Sequence, residues 1–330
     1  MTSEQRERPS LAAVHAAAEL IRPHVRRTPA LQVDLDRRLV LKADCLQRTG
    51  SFKVRGSFNA ILRLDPGRTR GVITGSSGNH GQAVALAART AGIPAIVLIP
   101  ENANPLKIAA TRSFGAEVVT DGVTMENRDA RLAQLSEENG YSLIHPYDNW
   151  DVIHGQGTAV LELIEDAGEL AAVAVPVGGG GMISGWAIAA KGVDPRIKVI
   201  GVEPELADDA RRTLESGSIV RLDRTPATMA DGVWTLGIGR RNFQVIVEMG
   251  LVDEIVTVSE DDIAEATRVA WLRCKLAVEP TGALTLAAYL AGKLPAQGRL
   301  GLQVSGGNAD PRVISELLGR AEAGEVPRRV

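Results

Sequence analysis

Between residues 71 and 146, short apolar segments alternate with longer segments of helical pattern. The apolar segments have the length of buried strands and are residues 71–74, 95–99, 117–120 and 142–144. The helical patterns that separate them lie near residues 82–90, 106–114 and 128–138. Strands that alternate with helices form βαβ units, whose strands are parallel. We therefore expect this part of the chain to form a small parallel α/β domain.

The remaining sequence continues the same alternation. Further apolar strands are predicted at residues 39–43, 171–177, 198–202, 254–258 and 299–304. Further helices are predicted at residues 11–25, 53–64, 183–191, 207–215, 261–276 and 283–291. The predicted fold class is α/β, with two open, mostly parallel, twisted sheets and flanking helices. We expect a large domain of residues 1–65 and 150–330, into which the small domain of residues 70–149 is inserted.

The charge of the chain argues against two classes of partner. Its 330 residues carry a net charge of −3, and the sequence pI is about 6.0. Neither value attracts a protein to nucleic acid or to an anionic membrane. We therefore expect no nucleic-acid partner, and an anionic ligand would have to be held locally by backbone amides or single basic residues.

The sequence carries no signal for export or membrane insertion. The first nine residues are polar and lack the apolar core of a signal peptide. The apolar runs are shorter than the roughly 20 residues that a membrane helix needs. Cys45 and Cys274 are the two cysteines and show no CxxC spacing, which fits a reducing compartment. We therefore expect a cytoplasmic protein without a membrane partner.

Four consecutive glycines, residues 178–181, follow one predicted strand and precede a predicted helix. Glycines let the backbone approach an anion closely, and the amides of a helix N-terminus bind phosphate. The loop is neither a Walker loop, which ends in Gly-Lys-Ser/Thr, nor a GxGxxG dinucleotide fingerprint. A simple tight turn is the alternative interpretation, but such a turn does not require four glycines.

Two further polar loops follow predicted strands. Residues 75–81 read Gly-Ser-Ser-Gly-Asn-His-Gly and combine hydroxyls, an amide side chain and helix N-terminal amides, a set that suits a carboxylate ligand. Alternatively, Ser and Asn are only helix caps here. Residues 305–308, Ser-Gly-Gly-Asn, end the last apolar strand. Because ligands bind beyond the carboxyl ends of parallel strands, the three loops predict one shared site.

Lys53 is the candidate reactive side chain. Its neighbours Phe52 and Val54 are apolar, and an amine that is partly desolvated titrates low enough to act as a nucleophile or base. Such lysines form imines with carbonyl cofactors such as pyridoxal 5′-phosphate (PLP). Taken alone, a lysine in a mixed segment is usually a solvated surface residue. The three downstream loops favour the reactive interpretation.

Together these motifs resemble those of the fold-type II PLP enzymes, and within them the serine/threonine dehydratase and serine racemase family. The resemblance covers roughly residues 10–320. The strings that carry it are Gln47-Arg48-Thr49-Gly50-Ser51-Phe52-Lys53, Ser77-Gly78-Asn79-His80-Gly81, Gly155-Gln156-Gly157-Thr158, Pro176-Val177-Gly178-Gly179-Gly180-Gly181, Glu279-Pro280-Thr281-Gly282 and Ser305-Gly306-Gly307-Asn308. It implies a fold like that of the tryptophan synthase β subunit.

The resemblance also implies a role for each cofactor-binding residue. Lys53 would carry PLP as a Schiff base, and Phe52 would flank the ring. Asn79 would bond the O3′ oxygen, Ser305 would face the pyridine nitrogen, and Glu279 would lie near the ring as a structural residue. The phosphate would be held by Gly178, Gly179, Gly180 and Gly181. A neutral serine hydroxyl cannot keep the ring nitrogen protonated, which favours loss of a β-leaving group over transamination.

A divalent-metal site is implied by the segment from residue 203 to residue 209. In the family, Glu203, the Ala207 carbonyl and Asp209 would be the ligands. Oxygen ligands of this kind suit Mg²⁺ or Ca²⁺, and Mn²⁺ is a further candidate. The alternative is a helix start with acidic residues in its first turn.

The resemblance bears on the reaction as well. Ser77 would be the acid/base on the ring face opposite Lys53, as in serine racemases, and Arg128 falls where racemases keep an arginine that can meet a second carboxylate. In contrast, Tyr147 is dehydratase-like, and Trp234 is bulkier than either group would predict. The substrate contacts implied by the resemblance are Ser76, Ser77, Asn79, His80, Arg128 and Thr235.

The function that the resemblance implies is a PLP-dependent ammonia-lyase. It would convert L-threonine or L-serine to a 2-oxo acid and ammonia by α,β-elimination. Serine racemase and 3-hydroxyaspartate dehydratase are alternatives within the family. A non-catalytic amino-acid-binding module on this fold is an alternative of another class, and the intact Lys53 argues against it. We further expect a homodimer or homotetramer.

Overall fold

The computed structural model describes residues 8–76, 78–101, 103, 105–124 and 127–319. The described strands form one sheet of six strands and one of four. In chain order they are β1 (Ala30–Gln32), β2 (Leu39–Ala43), β3 (Val72–Gly75), β4 (Ala95–Leu98), β5 (Glu117–Val119), β6 (Ser142–Leu143), β7 (Ala172–Pro176), β8 (Lys198–Pro204), β9 (Glu254–Val258) and β10 (Leu300–Val304). The predicted α/β fold with two mostly parallel sheets is confirmed.

Helices connect these strands. In chain order the described α-helices are α1 (Leu11–Ile21), α2 (Lys53–Ile61), α3 (Asn79–Ala91), α4 (Pro105–Ser113), α5 (Arg128–Asn139), α6 (Trp150–Ala167), α7 (Gly181–Val193), α8 (Asp209–Ser216), α9 (Arg240–Phe243), α10 (Glu260–Leu272), α11 (Leu284–Leu290) and α12 (Pro311–Gly319). Within the described ranges, no helix has both the length and the apolar character needed to cross a membrane.

The larger sheet has the strand order β1-β2-β10-β7-β8-β9, and its pairs are parallel except for β1 with β2. Along β7, Val173 and Val175 belong to one hydrophobic core, whereas Ala172 and Ala174 belong to another, as expected when alternate side chains point to opposite faces. Both faces of this strand are therefore buried, which is why its sequence reads as an unbroken apolar run.

The smaller sheet has the order β5-β4-β3-β6, and all of its pairs are parallel. Its strands lie between residues 72 and 143, inside the predicted small domain. Helix α2 belongs to the same hydrophobic core as this sheet, because Val54 and Phe58 pack with Val84 and Val97. The domain boundaries themselves stay a prediction.

Helix α6, which the sequence patterns do not predict, lies between α2 and α7. The Asn149 side chain caps its start by accepting the Val152 N–H at 3.0 Å. Gly155 faces α2, where an added side-chain carbon would lie 2.6 Å from the Gly56 Cα. On the other side, a side-chain carbon at Gly157 would lie 2.5 Å from the carbonyl oxygen of residue 185 in α7. These glycines let α6 approach the backbones of both helices that begin at the predicted site.

Hydrogen bonds bring the ends of the two sheets together. The Gly307 N–H, beyond the end of β10, donates to the Gly50 carbonyl oxygen at 2.9 Å. The Asn308 side-chain amide donates to the side-chain oxygen of Asn79, at the start of α3, at 2.7 Å. The loop before Lys53, the loop after β3 and the loop after β10 therefore meet, as ligand-binding loops of parallel sheets do.

Candidate active site

Lys53 begins helix α2, and the residues before it are fixed against the loop after β10. Ser51 forms an isolated bridge with Gly306, and the Phe52 N–H donates to the Ser305 carbonyl oxygen at 3.0 Å. These backbone contacts join two segments that are remote in the sequence. As a result, Lys53 and Ser305 occupy neighbouring positions at the carboxyl end of β10, in the interior of the larger sheet.

The Lys53 amine lies in surroundings that disfavour its charged form. Burial lowers its pKa from 10.5 to about 8. Its Nζ donates to the Pro146 carbonyl oxygen at 3.0 Å and lies 5.2 Å from the centre of the Phe52 ring. Because a neutral amine is the nucleophilic form, a lysine with this pKa can attack a carbonyl group near neutral pH. Phe52 lies beside the amine, and its predicted contact with the cofactor ring stays a prediction.

The glycine loop, residues 178–181, leads from β7 into α7. The Gly179 carbonyl oxygen accepts the Gly239 N–H at 3.1 Å and the Asn242 side-chain amide at 2.7 Å. The first N–H groups of a helix have no partner within the helix, and the helix dipole makes this end positive. The loop therefore suits a phosphate group bound at the start of α7.

Neighbouring side chains press against this loop. A side-chain carbon on Gly179 would collide with the Tyr147 ring, and one on Gly180 would lie 2.8 Å from the Asn242 Cβ. Gly180 also has a φ of +91°, which residues with a side chain rarely adopt. Residue 179 must therefore be glycine because no space is left for a side chain. Residue 180 must be glycine for the same reason and because of its backbone conformation.

Asn79 is held from two sides. Its Nδ2 donates to Glu279 Oε1 at 2.7 Å, and its Oδ1 accepts the Asn308 amide at 2.7 Å. Asn308 also donates to the Thr49 carbonyl oxygen at 2.7 Å. Since an amide nitrogen carries two hydrogens, Asn79 retains one N–H for a ligand oxygen such as a phenolic O3′.

Ser305 and Glu279 are buried beside Asn79. Ser305 is 2% exposed, and within the described residues its hydroxyl makes no side-chain hydrogen bond. A neutral hydroxyl of this kind can donate to a ring nitrogen. Burial raises the pKa of Glu279 to about 7, and its carboxylate lies against Gly306 as well as Asn79. These contacts suit the structural role predicted for Glu279.

The groups described so far fit PLP. The amine of low pKa matches its aldehyde, and the helix N-terminal amides match its phosphate. The amide N–H of Asn79 matches its phenolic oxygen, and the neutral hydroxyl of Ser305 matches its ring nitrogen. The glycine loop is too crowded for side chains at residues 179 and 180, and so presents backbone rather than side chains to a ligand. The roles of the individual residues stay predictions.

Among the predicted substrate contacts, Arg128 and Ser76 lie near one another. Arg128 begins α5 and lies over Gly75, where a side-chain carbon would be 3.1 Å from the Arg128 Cδ. Ser76 follows directly, and its hydroxyl caps the loop, since the Gly78 N–H donates to its Oγ at 3.3 Å. Thr235 Oγ1 is buried and has no hydrogen-bond partner within the described ranges.

Ser77 and His80 are the other two predicted substrate contacts to consider. Ser77 lies outside the described residues. His80 is 2% exposed, and its Nε2 is 3.1 Å from the Ile144 carbonyl oxygen. Burial, with a smaller contribution from the nearby Lys53 charge, lowers the pKa of His80 to about 3. A neutral, buried imidazole here adds no positive charge next to the Lys53 amine. The contact of His80 with substrate stays a prediction.

The predicted metal ligands lie at the start of α8. Glu203 is fully buried and accepts the Ala210 N–H at 3.0 Å and the Arg211 N–H at 2.9 Å. Asp209 is 2% exposed, and its Oδ2 is buried without a hydrogen-bond partner among the described residues. The described residues contain no group of three or more His, Cys, Asp or Glu side chains that could hold a metal ion. The predicted site has two such side chains, with the Ala207 carbonyl as the third ligand.

The structure adds two residues that the sequence motifs do not identify. Asp148 accepts the Arg241 N–H at 2.9 Å at the start of α9. Asn242, on α9, donates to the carbonyl oxygens of Tyr147 and Gly179 at 3.1 and 2.7 Å. Asn242 thus fixes the glycine loop directly, and Asp148 fixes the start of the helix that carries Asn242. They carry no motif, so only their place in the fold identifies them.

Comparisons with known proteins agree with this site. The family model described as "Pyridoxal-phosphate dependent enzyme" matches residues 21–306. A Pseudomonas sp. L-threo-3-hydroxyaspartate ammonia-lyase is 44% identical, over 92% of this chain and 96% of the relative. A serine racemase from Dictyostelium discoideum is 41% identical, over 92% of this chain and 96% of the relative.

A solved structure supports the same assignment. A threonine deaminase from T.th. is 49% identical, covers 92% of this chain and 99% of its own, and superposes with a TM-score of 0.87. The family model, the two relatives and the solved structure each match most of the chain, and the matched part contains both sheets. The chain therefore belongs to the family of pyridoxal-phosphate-dependent enzymes, with the fold-type II architecture.

Proposed function

We propose that this protein is a PLP-dependent ammonia-lyase that acts on small β-hydroxy amino acids such as L-threonine and L-serine. The observation that carries the proposal is the pairing of Lys53 with Ser305. Lys53 supplies a weakly basic amine, and Ser305, whose carbonyl accepts the Phe52 N–H, offers a neutral hydroxyl rather than a carboxylate at the predicted position of the ring nitrogen. This pairing favours elimination of a β-substituent over transamination.

Each residue of the site has a part in this reaction. When bound, PLP supplies an electron sink for negative charge at the α-carbon of an amino acid. Residues 178–181 would hold its phosphate, and Asn79 and Ser305 would hold its ring. The amine of Lys53 would attach to its aldehyde and, once released by substrate, would take the α-proton. The substrate then loses its β-hydroxyl as water, and hydrolysis yields a 2-oxo acid and ammonia.

A second substrate is favoured by the place of Arg128. Its side chain lies over Gly75, the first residue of the loop of residues 75–81, which would receive the α-carboxylate. A guanidinium binds a carboxylate through two parallel hydrogen bonds. L-threo-3-hydroxyaspartate carries a second carboxylate that could meet Arg128, and it is the substrate named for the Pseudomonas relative.

A product assay tests the proposed function. The purified holoenzyme is incubated with L-threonine, L-serine, D-serine or L-threo-3-hydroxyaspartate, and 2-oxo acid and ammonia are measured. Equal amounts of both products from at least one L-substrate are expected. A yellow holoenzyme that releases neither product from any of the four would contradict an ammonia-lyase, and a colourless protein would favour a binding module.

Racemisation is the alternative reaction, and Ser77 is its predicted acid/base. Racemisation needs a proton donor on each face of the planar α-carbon, and Lys53 serves only one. We expect Ser77→Ala to abolish interconversion of D- and L-serine while deamination of L-threonine or L-serine survives in part. Chiral chromatography of serine after incubation measures this, and exchange at the wild-type rate would assign the second face to another residue.

We also propose a divalent cation at Glu203, Asp209 and the Ala207 carbonyl. Two carboxylates are buried close together there, and one oxygen of Asp209 lacks a partner among the described residues. Buried charges are stable when they are paired or coordinate a metal. Mg²⁺, Ca²⁺ or Mn²⁺ would provide that partner.

Chelation should therefore destabilise the protein. After treatment with EDTA we expect a lower melting temperature, and Mg²⁺ or Ca²⁺ at about a hundred times its Kd should restore about 2.7 kcal/mol of unfolding free energy. Asp209→Asn should lose this response. Asp208→Asn is the matched control, because Asp208 pairs instead with Arg211 at 2.9 Å. Identical melting curves of wild type before and after chelation would remove this cation site.

The compartment and assembly that we propose are those expected from the sequence. Cys45 and Cys274 are both free thiols, which suits the reducing cytoplasm. A homodimer or homotetramer remains the expected assembly, and sedimentation velocity measures it.

A further inference from the structure

A network of buried charges lies beneath the start of helix α2. Its members, here called the Arg55 network, are Thr28, Lys42, Asp44, Arg55, Glu162 and Gln303. Lys42, Asp44 and Arg55 are fully buried, and the Glu162 side chain is 16% exposed. Two positive and two negative charges balance within it. Charges are rarely buried to this extent unless they are paired.

The Arg55 guanidinium is at the centre. Its Nη2 donates to Asp44 at 3.0 Å and to Glu162 at 2.8 Å, and its Nη1 donates to Glu162 at 2.8 Å. The remaining donor, Nε, lies 3.2 Å from the second Asp44 oxygen. Lys42 completes the charge balance with a 2.6 Å contact to Glu162. Each nitrogen of the guanidinium plane thus donates to a fixed acceptor.

The network contacts three of the elements that carry the candidate site. Arg55 lies in the first turn of α2, two residues after Lys53. Gln303 donates to Asp44 at 2.9 Å and lies in β10, two residues before Ser305. The same amide nitrogen lies 3.7 Å from the sulfur of Met182, which follows the glycine loop in α7. The Arg55 network therefore joins α2, which carries the Lys53 amine, to β10, which leads to Ser305, and to α7, which follows the glycine loop.

Stability alone does not explain such a network. Hydrophobic residues of similar volume often replace a buried ion pair with no loss of stability. What they cannot supply is the planar, directional fork of an arginine held by two carboxylates. The reacting groups of an enzyme site, in contrast, lose rate when displaced by about 1 Å.

We propose that the Arg55 network sets the position of Lys53 relative to Ser305 and the glycine loop, with Arg55 as a positioning residue for the cofactor-binding lysine. The proposal rests on the assignment of Lys53 within the proposed function. Removal of Arg55 alone would leave Asp44 and Glu162 with only Lys42 as a buried cation. Arg55→Met combined with Asp44→Asn keeps the charges balanced and removes the fork.

The test measures imine formation without any substrate. Apoprotein of each variant is mixed with PLP, the rise of the violet-region absorbance is followed, and borohydride reduction with peptide mapping locates the label. The variants are Arg55→Lys, which keeps the charge but not the fork, and the Arg55→Met/Asp44→Asn double variant. Ile188→Ala is the control, because Ile188 is 4% exposed and lies two turns beyond the glycine loop in α7.

We expect both Arg55 variants to form the Lys53 imine about 10- to 100-fold more slowly than wild type, at temperatures where their circular dichroism is native. Ile188→Ala should lower the melting temperature and leave the imine rate unchanged. Wild-type imine rates in the double variant overturn the proposal, as does equal slowing in Ile188→Ala. If the double variant does not fold, the rate of Arg55→Lys decides in the same way.

Failure of this proposal is distinguishable from failure of the proposed function. A wild type that forms no imine at Lys53 overturns both the positioning role and the cofactor assignment. A wild type that forms the imine and yet releases no ammonia from any tested substrate overturns only the ammonia-lyase function, and the imine rates still decide the role of Arg55.

Discussion

Lys53→Ala is expected to bind PLP without a covalent bond and to lose at least about 1,000-fold in turnover, because the variant lacks both the imine-forming amine and the base for the α-proton. The violet-region absorbance of the holoenzyme should disappear. In wild type, borohydride reduction should place the pyridoxyl label on the peptide that contains Lys53. A label on any other lysine contradicts the assignment.

The pH dependence of imine formation gives an independent measurement. Burial disfavours the charged ammonium and lowers the pKa of Lys53 from 10.5 to about 8. The reactive neutral amine therefore accumulates as the pH rises through about 8. We expect the rate at which apoprotein forms the imine to rise with pH and to level off above this value, and a midpoint near the ordinary lysine pKa of about 10.4 would show that the amine is solvated.

A matched control separates these effects from a general loss of lysine charge. Lys191, on helix α7, pairs with Asp253 at 2.8 Å, and the Lys191 side chain is not part of the site. Lys191→Ala should keep the violet-region absorbance, the label on Lys53 and the turnover of wild type. Loss of the label in this control would mean that the labelling reports folding rather than Lys53.

Arg128→Gln is expected to lower kcat/KM for L-threo-3-hydroxyaspartate by about 10- to 100-fold, the loss of one charge-assisted hydrogen-bonded contact. The value for L-threonine should stay within about twofold, because that substrate has no second carboxylate. Steady-state assays of both substrates with the same enzyme preparation measure the difference. The effect should appear mainly in the ratio between substrates rather than in the value for L-threonine.

Arg131→Gln is the control for the substrate experiment. Arg131 lies one turn further along α5, and its Nη1 donates to the Asp121 carbonyl oxygen at 2.6 Å. The substitution removes the same charge from the same helix without altering the contact over Gly75. Equal losses on both substrates in Arg128→Gln would assign Arg128 to support of the loop, and the preference for a second carboxylate would then be wrong.

The strands were the most predictable part of the fold. Strands 39–43 and 254–258 have the predicted bounds, because each is a short apolar run that ends at polar residues or turns. Strand β1 is absent from the prediction, since three residues at the antiparallel edge of a sheet carry too little pattern. Helix α6 is absent as well, because it is buried on most of its sides and has little alternation of polar and apolar residues.

The ends of two helices differ from their predicted positions. Helix α1 ends at Ile21 rather than at residue 25, because Pro23 has no backbone N–H with which to continue the helical hydrogen bonds. Helix α3 begins three residues earlier than predicted, at Asn79. Its first turn contains the glycine and polar residues of the loop motif, which have low helix propensity, and contacts with Glu279 and Asn308 fix them there.

The α/β fold and the family could be predicted from the sequence, because apolar runs, glycine loops and the Lys53 motif are local patterns. The state of the site depends instead on the tertiary structure. The pKa of Lys53 depends on desolvation by its surroundings, and the amine meets the carbonyl of Pro146. Asn242 and the Arg55 network join residues that are remote in the chain. Burial and contact depend on distances across the fold, which local sequence patterns do not encode.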